Sequence, residues 1–188
     1  IVSDITLTNA TASAFTTVSS SSYTALITPI ADGTITLNVN ANVAQDVAGN
    51  LNTAATRVST EFDAILPTVT IQNVPANSNT AFTATFVFSE AVTGFEVNSS
   101  TYTALITPSA QGLVTLNVGI NVAQDSVGNF NIAAVPVVSL FDTTRPSVAI
   151  QGVQPQNITP FTATFTFSEA VADFIASDIT LTNATASN

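Results

Sequence analysis

Phe82-Thr-Ala-Thr-Phe-Val-Phe-Ser-Glu-Ala-Val92 returns, at an offset of 79, as Phe161-Thr-Ala-Thr-Phe-Thr-Phe-Ser-Glu-Ala-Val171. In the second copy Phe161, Ala163, Phe165 and Phe167 fall on one side and the intervening threonines on the other. A period of two marks a strand with one buried and one wet face. Thr34-Ile-Thr-Leu-Asn-Val-Asn40 alternates in the same way, with Ile35, Leu37 and Val39 inward. No stretch carries an amphipathic helical period of useful length, so the pattern is that of antiparallel sheets wetted on one face.

The same offset relates Tyr23-Thr-Ala-Leu-Ile-Thr-Pro29 to Tyr102–Pro108, and Gln45-Asp-Val-Ala-Gly-Asn50 to Gln124-Asp-Ser-Val-Gly-Asn129. A longer offset of 174 relates Ile1–Ser13 to Ile175–Ser187. The two spacings are reconciled if a full unit spans about 95 positions and the middle copy is shortened to 79. The middle copy then lacks the stretch equivalent to Asp4 through roughly Ser20, with Asn98-Ser-Ser100 bridging the gap. Fixed-period self-similarity of this length signals a repeat architecture. The expected organisation is 1–62, the back of one unit; 63–141, a shortened unit; and 142–188, the front of a further unit. This is the look of a window cut from a longer array.

Strands are expected near 67–73 and 146–153, then 81–89 and 160–168, then 4–10, 93–97 and 173–183. A short strand near 14–19 follows, then 22–28 and 101–107, 33–40 and 112–119, and 53–62 and 132–141. Seven short strands per unit, with turns every 8 to 12 residues, specify an all-β fold of tandem immunoglobulin-like β-sandwich repeats. Cys and Trp are both absent, so the Phe-rich second strand must fill the volume that a disulfide and a core Trp would otherwise occupy. The gap in the middle unit should open a sheet edge. The copy of the missing sequence at 177–187 is a candidate to fill it by strand addition.

Composition narrows the chemistry. The 188 residues include 12 acids, two arginines (Arg57 and Arg145) and no His, Cys or Lys. Triad hydrolysis, thiol nucleophiles, zinc sites, Schiff bases and P-loops are therefore ruled out. A net charge of -10 opposes binding to phosphate backbones, so no nucleic-acid partner is expected. No run of 18 apolar residues is present, so no membrane span is expected in this segment, and any signal peptide is expected outside it. Catalysis is not expected.

Phe-Ser-Glu-Ala-Val (88–92 and 167–171), Asp-x-x-Gly-Asn (46–50 and 125–129), Asp-Thr-Thr-Arg-Pro (142–146) and the Tyr-Thr-Ala-Leu-Ile-Thr-Pro pair resemble the bacterial Ig-like domains. The resemblance spans essentially the whole chain and departs from the pattern in the middle unit and in Asp63-Ala-Ile-Leu-Pro67. It implies an extracellular, non-catalytic module of a secreted surface protein or adhesin, working beside neighbouring repeats or identical chains.

In such a sandwich the start of the first strand, the loop after the second and the loop between the last two share one pole. This places Asp63, Glu90 and Asp125 together; Asp142 and Glu169 are their counterparts in the next unit, and Asp32 reaches the first junction from the preceding one. Clustered carboxylates and loop carbonyls are the ligands calcium takes, six to eight oxygens in all. The resemblance likewise implies calcium-stiffened junctions. The competing reading is that Asp-x-x-Gly-Asn is a turn in its own right, with Asp capping and Gly at positive φ. Tyr23 and Tyr102 are expected as core or corner residues. The expectation is a mechanical role, the stalk of an adhesin or the body of a surface filament. The alternative is a carbohydrate- or ligand-binding module, which should show exposed aromatics in a loop.

Overall fold

The computed structural model describes residues 1–95 and 99–186. Apart from two 3-10 turns, Val2–Asp4 and Ala176–Asp178, all regular structure among these residues is strand. The first stretch holds β1 (Ile5–Thr8), β2 (Ala10–Ser19), β3 (Ser22–Pro29), β4 (Gly33–Val39) and β5 (Val58–Phe62). The middle stretch holds β6 (Val69–Gln72), β7 (Asn77–Ser78), β8 (Phe82–Val92), β9 (Ser99–Ile106), β10 (Gly112–Leu116) and β11 (Val137–Phe141), and the last β12 (Val148–Gln151) and β13 (Thr164–Phe167).

In the first stretch β4 is a central strand in the order β1-β4-β5, while β2 and β3 form a separate antiparallel pair. Between β1 and β2 the chain passes from one sheet to the other at Asn9, whose φ of 57° is the left-handed conformation that Asn tolerates. The middle stretch is a sandwich of β6-β8-β9 against β10-β11-β7. Alternation along β8 buries Ala84, Phe86 and Phe88, which meet Val69 from β6, Leu116 from β10, and Val92, Val118, Ala123 and Ala134. Phe88, Phe95 and Tyr102 pack edge to face, with centroids 5.1–5.8 Å apart. Of these rings only Phe88 comes from the Phe-rich strand; Phe95 follows it and Tyr102 lies in β9, so the volume expected of that strand is shared. In the last stretch β12 and β13 form a two-stranded antiparallel sheet.

Several expected strands are shorter or absent. Residues 173–183 form a 3-10 turn and open chain, because no strand lies beside them to complete a ladder. The expected strand at 93–97 reduces to a bridge at Thr93; residues 96–98, which include the start of the Asn98 linker, lie outside the described residues. β5 and β11 begin at Val58 and Val137, not at 53 and 132. Pro136 has no N–H to give to a ladder, and Ala55 and Ala134 each make a single bond outside it, to the carbonyls of Val39 and Val118. β7 was not expected; it pairs in parallel with β11 through Asn77 and Ser78.

The solvent-accessible surface is 13295 Å². A compact protein of 19.3 kDa would expose about 8,500 Å². The excess reflects apolar side chains left uncovered in the first and last stretches, among them Tyr23, Leu26, Val148, Ile150 and Phe161. No helix among the described residues is long and apolar enough to cross a membrane.

Candidate metal centre at the Asp63 corner

Asp-x-x-Gly-Asn folds as a turn in both copies. The Asp125 Oδ1 accepts the backbone N–H groups of Val127, Gly128 and Asn129 at 2.8–2.9 Å, and its Oδ2 accepts the Asn129 side-chain amide at 2.8 Å. Asp46 repeats the arrangement with Ala48 and Asn50. Gly49 and Gly128, at φ of 86° and 100°, supply the positive φ the turn needs. Burial pushes the Asp125 carboxyl up, but the donors from Asn129, Val127 and Gly128 outweigh it and hold the group below its ordinary value.

A second clip, missed in the sequence, sits just beyond each turn. The fully buried Asn131 accepts the N–H groups of Val122 and Ala123 and donates to the carbonyls of Gly119 and Ile132, all at 2.7–2.9 Å. Asn52 makes the equivalent four bonds with Val43, Ala44, Asn40 and Thr53. The repeat of Gly-Asn-x-Asn at 49–52 and 128–131 was the signal that could have found it.

The structure brings Asp63, Glu90 and Asp125 together, with one carboxylate oxygen of each within 4.8 Å of the others. Asp63 follows β5, Glu90 lies near the end of β8 and Asp125 sits in the β10–β11 connection. Asn129 fastens the corner, donating to the Asp63 carbonyl at 3.0 Å as well as to Asp125. Asp63 Oδ1 accepts the Ile65 N–H at 2.9 Å, and the Glu90 carboxylate receives no hydrogen bond among the described residues. Partial burial, then the charges of Asp125 and Asp63, raise the Glu90 pKa.

Hard carboxylate oxygens with no sulfur or imidazole suit Ca²⁺ or Mg²⁺. Capacity is limited, however. Three of the four donors on Asp125 crowd Oδ1 and the fourth takes one lone-pair site of Oδ2, which leaves that oxygen one site. A cation here would draw on Glu90, the free oxygen of Asp63 and the remaining site on Asp125 Oδ2, with water completing the shell.

The other expected ligands stand outside this group of three carboxylates. Asp32 accepts the Ala64 N–H at 2.8 Å and so clips the segment joining the first stretch to the middle one. Gln111, its counterpart, accepts the Thr143 N–H at 2.7 Å at the next boundary. Asp142 accepts the Thr144 N–H at 2.8 Å; that bond, the Thr144 side chain and Gln111 hold its carboxyl below the ordinary range. Among the described residues Asp142 and Glu169 belong to no three-acid cluster. Tyr102 is a corner residue as expected. Its hydroxyl lies 3.0 and 2.9 Å from the Val92 and Ser99 carbonyls and accepts the Ser99 N–H. Tyr23 departs from the expectation: it is more than half exposed and stacks on Phe15, because no sheet covers that face of β3.

No curated protein matches this chain. A family model described as bacterial Ig-like domain matches residues 1–62 and 142–188. The two matched segments make up more than half of the sequence, and the chain belongs to the bacterial Ig-like domain family.

Proposed function

We propose that the chain is a length of an extracellular structural array, the stalk of a bacterial adhesin or the body of a surface filament. The family is commonly extracellular and typically non-enzymatic, which supports the general class. The observation that carries the finer reading is the repeated junction clip. Asp32 to Ala64 and Gln111 to Thr143 are the same side-chain-to-backbone bond, one repeat offset apart, made by different residue types. A contact kept while its side chain changes is a contact in which geometry matters. Short linkers held in this way limit bending between successive sandwiches, and the acidic surface keeps the array soluble.

Calcium fits this reading as a weak stiffener at the Asp63 corner. The few free oxygens there support an affinity near the millimolar class of extracellular modules.

The test is single-molecule pulling of residues 1–188. The middle stretch, 63–141, should yield as one event and release about 260–280 Å of contour length, before subtraction of its folded span. An event of a different length, or no resistance at all, would overturn the reading.

A further inference from the structure

The second junction carries chemistry that the first lacks. Gln111 Oε1 accepts the Thr143 N–H at 2.7 Å, and Gln111 Nε2 donates to the Thr144 hydroxyl. The Thr144 hydroxyl and the Gln111 amide both hydrogen-bond the Asp142 carboxylate, whose Oδ1 also accepts the Thr144 N–H at 2.8 Å. A hydroxyl, a carboxylate and a primary carboxamide thus stand in mutual contact, with a backbone N–H on the carboxamide oxygen. These are the parts of an acyl transfer: nucleophile, base, acyl donor and oxyanion donor.

At the first junction Asp32, Asp63, Ala64 and Ile65 stand in the places of Gln111, Asp142, Thr143 and Thr144, at the repeat offset of 79. The scaffold is the same. Asp32 accepts the Ala64 N–H at 2.8 Å, and Asp63 accepts the Ile65 N–H at 2.9 Å. Yet Asp32 has no amine to lose and Ile65 has no hydroxyl. Holding the linker therefore needs neither the Gln111 nitrogen nor the Thr144 oxygen. Those two groups are the ones that ester formation requires.

We propose that Thr144 and Gln111 become joined by a side-chain ester, formed once by the folded chain on itself. Asp142 takes the proton from Thr144 Oγ1 as that oxygen adds to Gln111 Cδ. Negative charge gathers on Oε1, where the Thr143 N–H receives it. Asp142 passes the proton to Nε2, the Cδ–Nε2 bond breaks and ammonia leaves, with the new Cδ–Oγ1 bond in place. The carboxylate is restored, nothing is oxidised or reduced, and no co-reactant is needed. The attack requires the amide plane to turn its Cδ towards Oγ1, a rotation about χ3 of Gln111, where the torsional wells are broad. An amide is a weak acyl donor, so the conversion is slow. Positioned groups nevertheless react at effective concentrations of about 10⁵ M or more, far above that of bulk water. Gln111 and Thr144 are exposed, so the ammonia escapes to solvent. The inference rests on the structural-array reading and deepens it: the ester turns a hydrogen-bonded clip into a covalent one, tying the β9–β10 connection to the segment after β11.

The experiment follows the intact mass of residues 1–188 during incubation of the native chain, with a sample unfolded in guanidinium as the clock of ordinary deamidation. The expected result is a growing species lighter by one ammonia. Cleavage before aspartates yields 63–124, 125–141 and 142–172; in the lighter species the first and last should stay joined, and hydroxylamine, which opens esters, should part them. Thr144→Val should keep its full mass, and Thr144→Ser should form the link. Asp142→Asn should slow the loss of ammonia by about 100-fold or more. A native wild-type chain still at full mass when the unfolded sample has deamidated would overturn the proposal. So would a lighter species that persists in Thr144→Val, or one whose peptides separate without hydroxylamine, the mark of an asparagine succinimide. Freshly made wild type and Thr144→Val carry no link, so their pulling traces judge the array reading separately.

Discussion

Replacing Asn131 with Ala should damage the middle sandwich far more than replacing Asn52 damages the first stretch. Both side chains make four hydrogen bonds to backbone groups of one loop. Their settings differ: Asn131 is fully buried, whereas Asn52 is only partly covered, and Asn40, Ala44 and Thr53 around it are exposed. Each buried polar group left without a partner costs about 1–3 kcal/mol. Asn131→Ala orphans two N–H groups and two carbonyls. Water entering the vacated space recovers part of the loss, which leaves a net cost of about 3–5 kcal/mol. At Asn52 water reaches all four groups, and the cost falls to about 1–2 kcal/mol. The assay is urea unfolding followed by tyrosine fluorescence. A Tyr23→Phe background isolates Tyr102 as reporter of the middle stretch, and a Tyr102→Phe background isolates Tyr23 for the first. Equal costs at the two sites, or a loss below about 1 kcal/mol at Asn131, would refute the reasoning.

Three further outcomes follow from the same geometry. The raised Glu90 pKa means that the folded chain takes up a proton before the unfolded one, so stability should rise as pH falls from neutral towards 4.5. Asp125 and Asp142 are depressed, so their contributions persist until pH falls below 3.8 and are then lost; Glu90→Gln should abolish the rise without touching the acid limb, as thermal melts against pH would show. At 10 mM Ca²⁺ and a dissociation constant of about 1 mM, binding should add about 1.4 kcal/mol, or roughly 6–11 °C in the melt of the middle stretch. EDTA should reverse that shift and Glu90→Gln should blunt it, and an unchanged wild-type melt would return the corner to a simple turn. Ser139 is fully buried with no partner for its hydroxyl among the described residues, so Ser139→Ala should stabilise by about 1 kcal/mol in calorimetry. A loss of similar size would mean that the hydroxyl is satisfied.

Elements that carry their own partner in the repeat were the most legible. Alternation in Phe82–Val92 and Gly33–Val39 announced β8 and β4 because one face of each is buried. The strand expected at 173–183 has the right residues, but strand structure needs a neighbour, and none lies beside it. β7 went unseen because two polar residues, Asn77 and Ser78, join their sheet through backbone alone. At the acidic corner, the spacing of Asp63, Glu90 and Asp125 within the repeat was enough to bring them together. It could not show that turn donors already occupy Oδ1 of Asp125, since that depends on backbone N–H directions. Asp32 was read as a ligand; it holds the linker through the Ala64 N–H, and Gln111 makes the same bond one repeat on, a role that an amide and a carboxylate fill equally well.

Small-angle scattering from residues 1–188, extrapolated to infinite dilution, addresses the extended array most directly. A single compact domain of this length would have a radius of gyration of about 16 Å. A string of sandwiches exposing 13295 Å² should exceed that value clearly, with a distance distribution skewed to long vectors. A radius at the compact-domain value with a symmetric distribution would mean that the stretches collapse onto one another, and would contradict the array.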